Sequence, residues 1–191
     1  MREKANEAIG KVVGKIMPLV ARLSKGKTTD VVIDHELPGV TPEMLSWWWL
    51  NMGDTERYKL WHPEDHISAR WEVSPEEDPF RATQVACEKI GGIPAVLRIR
   101  VENPDQILET RTYMHAMGGC VLDDRDNPII SVVHEYESTP DGLLKMRSTF
   151  RVPARAPRPL KKAIRKHNRE EMAQFPVFLP QLYERSIQNT S

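Results

Sequence analysis

The stretch "LKKAIRKHNREEMAQFPVFLPQL", residues 160–182, carries an apolar stripe with two ionisable side chains in its middle. Leu160, Ile164, Phe175, Phe178 and Leu182 recur at helical spacing, and the positions that fill the gap between Ile164 and Phe175 are His167 and Glu171. The other face is basic, with Lys161, Lys162, Arg165, Lys166 and Arg169. A helix so patterned lays its apolar face on another element, and here it takes a histidine and a carboxylate with it. Side chains at i and i+4 stand roughly 5–6 Å apart at Cβ, close enough to share one ion. A buried carboxylate without a partner either costs several kcal/mol or takes up a proton. A helical ion pair satisfies it, and so does a metal. The spacing alone leaves both open.

Upstream of this helix the chain alternates as strands do. The segments "HISARWEV" (66–73), "RATQVACEKI" (81–90), "AVLRIRVEN" (95–103), "TRTYMHAMGG" (110–119), "PIISVVHEYES" (128–138) and "LLKMRSTFRV" (143–152) are separated by turn signals, among them Gly91-Gly92 and "TPDG" (139–142). About five or six mostly antiparallel strands need one face covered. The long amphipathic helix is the cover. The order predicts an α+β helix-grip fold, a curved antiparallel sheet wrapped around a long C-terminal helix, with a cavity between them.

Before the sheet, "TPEMLSWWWLNM" (41–52) starts a helix, with Thr41 as N-cap and Pro42 at the first helical position. "SKGKTTD" (24–30) reads as a linker. Residues 3–23 read as a basic amphipathic helix through Ile9, Val12, Val13, Ile16, Val20 and Leu23, with Pro18 disturbing its last turns. Its apolar face needs a cover, which makes residues 1–27 a docking arm and a homodimer the natural partner arrangement. The whole chain is expected to be one domain, residues 1–191, with its core at 36–185.

Composition narrows the function. With 27 basic and 27 acidic side chains the formal net charge is zero, which argues against a nucleic-acid binder working by phosphate neutralisation and against a polybasic membrane surface. Cys87 and Cys120 are far apart and in no metal-binding spacing, so a reducing cytoplasm is expected. The charged N-terminal segment reads as neither a signal peptide nor a membrane span.

All five tryptophans lie between residues 47 and 71, around "WHPEDH" (61–66). Such a window is either an aromatic core anchor with an amphipathic turn or the wall of a pocket. In the strands, Glu88 shares a face with Gln84 and Ala86, and His134 shares one with Val132 and Tyr136. Glu88 faces solvent or a cavity, and His134 makes a cross-strand hydrogen bond or points inward. Two histidines and two glutamates without thiolates suit zinc or a related divalent ion, and exclude a closed finger-type site.

Together, "WWWLNMGDTERYKLWHPEDH" (47–66), "CEKIGG" (87–92), "HEYESTPDGLLKMRSTF" (134–150) and "HNREE" (167–171) resemble the diacetylphloroglucinol hydrolase family, which includes phloretin hydrolase. The resemblance runs from about residue 36 to 185. It implies a Bet v 1-like helix-grip fold and a zinc-dependent hydrolase that cleaves a carbon–carbon bond between an acyl group and a phenolic ring. The substrate it implies is a small aromatic acyl-phenol. It places the metal on His66, Glu88, His167 and Glu171, with Glu102 as a rival for the strand carboxylate. It gives His134 and Tyr58 contact with ring oxygens and proton transfer. His62, Pro63 and Asp65 are left to shape the turn. Ala69 and Phe150 stand where the family has a substrate-contacting asparagine and tyrosine, so the resemblance carries the metal site further than it carries the ring contacts. The competing reading is a binding protein of the same fold that holds an apolar aromatic ligand without chemistry.

Overall fold

The computed structural model describes residues 16–79 and 81–188. Most of the predicted N-terminal helix, including Ile9, Val12 and Val13, lies outside the described residues. Its last part is α1 (Ile16–Leu23), closed by a turn in which Ser24 Oγ donates to the Val20 carbonyl at 2.9 Å.

Seven strands form one antiparallel sheet in the order β1-β7-β6-β5-β4-β3-β2. They are β1 (Thr28–Leu37), β2 (His66–Val73), β3 (Thr83–Ile90), β4 (Ile93–Glu102), β5 (His115–Leu122), β6 (Pro128–Ser138) and β7 (Leu144–Pro153). The six strands read from sequence are all present. The seventh, β1, begins inside the segment read as a linker and pairs along its whole length with β7, from Thr28↔Pro153 to Leu37↔Leu144. Its alternation is real: Val31, Ile33 and Leu37 are buried between exposed neighbours. It is diluted by the exposed Val32 and by the charges Asp30, Asp34 and Glu36.

The β3–β4 turn shows how local chemistry sets register. Ile90 pairs with Ile93, so the loop is only Gly91-Gly92. Both residues have positive φ, 63° and 81°, the conformation that a two-residue hairpin requires and that glycine adopts without a Cβ penalty.

Three helices connect the strands: α2 (Pro42–Asn51), α3 (Thr55–Trp61) and the single turn α4 (Pro104–Ile107). The Thr41 hydroxyl caps α2 by accepting from Met44 N–H, and Asp54 caps α3 through Arg57 N–H at 2.8 Å. The last helix, α5 (Arg158–Gln188), is 31 residues long and is the cover that the sheet needs. Pro176 and Pro180 each remove a donor from its ladder. The helix continues through them because Met172, Phe175 and Leu179 are wholly buried against the sheet and α2. Phe175 lies 5.9 Å from Trp48, 5.9 Å from Trp49 and 5.5 Å from Trp61 by ring centroids, and Trp48 and Trp49 meet it edge-on. The expected helix-grip fold is the fold observed. Among the described residues no helix is long and apolar enough to cross a membrane.

Candidate metal centre

His66 opens β2 and Glu88 lies opposite it on β3 as its cross-strand partner. His167 and Glu171 descend from α5, one turn apart, on the stripe that faces the sheet. All four side chains are buried, and one ligand atom from each falls within 4.8 Å of the others. His66 Nε2 is 3.2 Å from Glu171 Oε1 and 3.5 Å from Glu88 Oε2. His167 Nε2 is 3.3 Å from Glu171 Oε1 and 3.8 Å from Glu88 Oε1. Glu102, the rival carboxylate, is not part of this group and pairs with Arg100 at 2.5 Å.

A further set of contacts orients each of the four. His66 Nδ1 is 2.8 Å from the Tyr58 carbonyl, so it carries the proton and donates it, leaving the Nε2 lone pair facing inward. The Tyr58 ring stacks on His66 with centroids 3.8 Å apart, and its hydroxyl donates to Glu88 Oε2. His167 Nδ1 faces Asp65 Oδ2 at 3.4 Å, and Asn168 Nδ2 donates to Glu171 Oε2 at 3.3 Å. His62 stacks on His167 at 4.8 Å and accepts from the Asp65 backbone N–H at 3.2 Å, which fixes the "HPED" turn.

The charges follow from this packing. Burial by itself would raise the Glu171 carboxyl, but His167 and His66 beside it hold it well below the usual carboxylate range. Burial would also lower His167, but Glu171, Glu88 and Asp65 outweigh it and hold the imidazole up at about 10. Burial and the neighbouring Glu88 carboxylate push the Tyr58 hydroxyl well above its ordinary range, so it stays a donor.

A divalent ion fits this donor set. With Nδ1–H committed to the Tyr58 carbonyl, His66 turns Nε2 toward two carboxylate oxygens, the arrangement that suits a cation shared among them. His167 Nε2 is buried and faces the same point, 3.3 Å from Glu171 Oε1. With a divalent ion in place of the His167 proton, two neutral imidazoles and two carboxylates would sum to no net charge, which makes burial tolerable.

Glu88, His167 and Glu171 line a cavity of about 300 Å³ between sheet and helix, and His66 stands behind them against Tyr58, which also lines it. Its lining is mostly apolar and includes Trp49, Trp61, Trp71, Ile99 and Phe150. Trp48 is buried behind this wall and Trp47 packs on Tyr183, so three of the five tryptophans line the space. His134 lies on the same wall, stacked on Trp49 at 5.2 Å, with Nδ1 2.9 Å from Ser148 Oγ. Burial pushes its imidazole down to about 4. Gln84 gives Nε2–H to the Met52 carbonyl at 2.9 Å and leaves Oε1 buried with no hydrogen-bond partner among the described residues. Asn168, Ser148 and His35 also belong to this site, and the sequence reading did not single them out. Asn168 stands between His167 and Glu171, and that position was the available signal.

Residues 21–162 match the family described as DAPG hydrolase PhiG domain. His66, Glu88 and His134 lie inside the match, while His167 and Glu171 lie beyond it and reach the site through the fold. A phloretin hydrolase from Eubacterium ramulus is 58% identical over 36 residues, which are 18% of this chain and 13% of that protein. A 2,4-diacetylphloroglucinol hydrolase from Pseudomonas protegens is 30% identical over 124 residues, 56% of this chain and 40% of that protein. The matches thus span less than half the length of these curated relatives. Among solved structures, a START superfamily protein from Mycobacterium smegmatis superposes with a TM-score of 0.57 at 14% identity, over 82% of this chain and 99% of that one. The major latex-like protein 151 of Panax ginseng does so with a TM-score of 0.55 at 6% identity, over 80% of this chain and 97% of that one. These two share the fold. By the extent of the family match, the chain belongs to the DAPG hydrolase PhiG domain family.

Proposed function

We propose that this protein is a divalent-metal-dependent hydrolase that splits the bond between an acyl carbon and a phenolic ring carbon. The observation that carries the reading is the closure of His66, Glu88, His167 and Glu171 around one point on the wall of an aromatic-lined cavity. Relatives named as hydrolases of phloretin and 2,4-diacetylphloroglucinol support the substrate class. The nitrogen and oxygen donors suit zinc. When bound, the ion supplies Lewis-acid polarisation of a carbonyl and a lowered pKa for water.

The chain's own residues do the rest. His66 and Glu88 from the sheet and His167 and Glu171 from the helix hold the ion. Tyr58 keeps its proton and donates a hydrogen bond to Glu88, so it orients that carboxylate. His134 is left to meet an oxygen of the substrate. Trp49, Trp61 and Trp71 line an apolar slot suited to a flat ring. In the net reaction a water oxygen bonds to the acyl carbon, the acyl–ring bond breaks, and the ring carbon takes a proton. A carboxylic acid and the deacylated phenol leave.

The test is elemental analysis of protein purified without chelator or affinity metal, together with hydrolysis of 2,4-diacetylphloroglucinol. About one zinc per chain, lost in His167→Ala, with activity that follows the metal, is the expected result. Absence of metal even after zinc is offered at neutral pH would overturn the reading in favour of an apolar-ligand binder.

A further inference from the structure

A continuous hydrogen-bonded path leads from Glu171 to His134 without passing through the cavity. Asn168 Nδ2 is 3.3 Å from Glu171 Oε2, and Asn168 Oδ1 is 3.0 Å from His35 Nε2. His35 Nε2 is also 3.3 Å from Ser148 Oγ, which is 2.9 Å from His134 Nδ1. Asn168 and Ser148 are completely buried and His35 partly so.

The direction of every bond on this path follows from its first member. An ionised carboxylate only accepts, so Asn168 turns its NH₂ toward Glu171 and its carbonyl oxygen toward His35. A carbonyl oxygen also only accepts, so His35 carries its proton on Nε2. That N–H meets both Asn168 Oδ1 and Ser148 Oγ, which makes Ser148 an acceptor there and frees its own hydrogen for His134 Nδ1. His134 Nδ1 is therefore an acceptor, and the ring proton lies on Nε2. Among the described residues Nε2 of His134 has no hydrogen-bond partner, and His134 lines the cavity.

We infer that Asn168, His35 and Ser148 are positioning residues that transmit hydrogen-bond polarity from the Glu171 carboxylate and hold His134 as the Nε2–H tautomer, a neutral donor facing the cavity. Register supports it. Ser148 on β7 lies directly opposite His134 on β6 and opposite Ile33 on β1, so the neighbouring His35 reaches it from the other side. Burial keeps the His134 ring neutral, so it offers one donor and no charge. A molecule that fits presents an acceptor oxygen at this point. Identifying that oxygen with a ring oxygen or the carbonyl of an acyl-phenol rests on the hydrolase reading; the tautomer does not.

The experiment is a long-range ¹H–¹⁵N correlation spectrum of the imidazoles in the full, uniformly ¹⁵N-labelled chain, loaded with zinc at neutral pH, with zinc content measured on the same samples. The expected wild-type signature for His134 is a protonated Nε2 and an unprotonated Nδ1. Ser148→Ala and His35→Leu should each lose that signature, giving mixed or reversed tautomers. Ser148→Thr, which keeps the hydroxyl, and His35→Gln, which keeps a donor of similar reach, should retain it. With 2,4-diacetylphloroglucinol, Ser148→Ala should lower kcat about tenfold or more while KM changes less than threefold, as a fixed donor counts most where charge develops on an oxygen in the transition state. An Nδ1–H tautomer in the wild type, or an unchanged signature in both Ser148→Ala and His35→Leu, would overturn the inference. Loss of zinc binding with the tautomer intact would overturn the metal reading instead.

Discussion

His66 and Glu88 face each other across the first rung of the β2–β3 ladder, with Nε2 3.5 Å from Oε2. The pairing of the edge strand β2 with β3 therefore also sets half of the proposed metal site. Tyr58, one helix earlier, touches both residues: its carbonyl accepts from His66 Nδ1–H and its hydroxyl donates to Glu88. Tyr58→Phe leaves the packing in place and removes one hydrogen bond to the carboxylate. Zinc affinity is expected to fall about 10–100-fold, the usual cost of losing a group that orients a ligand. Competition titration against a chromophoric chelator measures it.

Metal removal should destabilise the fold, because the site exists only when sheet and helix are docked. Zinc at about 100 times its Kd adds about 2.7 kcal/mol. For a chain of this size that corresponds to a Tm roughly 5–10 °C higher than in excess chelator. Differential scanning calorimetry with and without chelator checks the shift. Equal Tm values would show that no tight metal site is present.

His134 makes stability depend on pH. Burial depresses its folded pKa from 6.5 to about 4, so between these values the unfolded chain binds a proton that the folded chain does not. The contribution is fully present above pH 6.5 and is lost as pH falls toward 4. Its upper bound is about 3 kcal/mol. Urea denaturation at pH 7 and pH 4.5 should show a larger drop for the wild type than for His134→Leu, which has no imidazole to charge.

Phe175→Ala should cost about 3–5 kcal/mol by leaving a cavity among rigid rings. Phe175 is 0% exposed and contacts Trp48, Trp49 and Trp61, which are held by two other helices and cannot collapse into the space. Equilibrium urea unfolding gives the value.

Removing residues 1–27 tests the docking arm. The sheet begins at Thr28, so the truncation spares every strand. If the arm joins two copies of the chain, gel filtration should show the apparent mass falling from that of a dimer to that of a single chain. An unchanged oligomeric state after truncation would dismiss the arm.

The sequence disclosed the elements whose patterns were strong. The His167–Glu171 interruption of an otherwise apolar helical stripe pointed to a polar site under the sheet, and six alternating runs pointed to the strands. β1 was hidden because an edge strand is half solvated and its exposed positions carry charge, which makes it read like a loop. The short helix α3 was hidden for a related reason: seven residues leave little periodicity to detect. His35 fell out of view with β1. Ser148 could not be seen at all, since its part depends on the register of three strands. That Glu88 rather than Glu102 joins the histidines was likewise a question of pairing. Both are carboxylates on neighbouring strands, and only the ladder sets Glu88 opposite His66.

The proposed ligands lie far apart along the chain, from residue 66 to residue 171, and the last two reside on the final helix. An ion held by all four would staple that helix to the sheet, closing a loop of about a hundred residues as a disulfide would, but reversibly. Such a staple cannot form while the chain is still being synthesised up to residue 171. Loading would then be a late event in maturation, and metal occupancy would mark those molecules whose closing helix has docked.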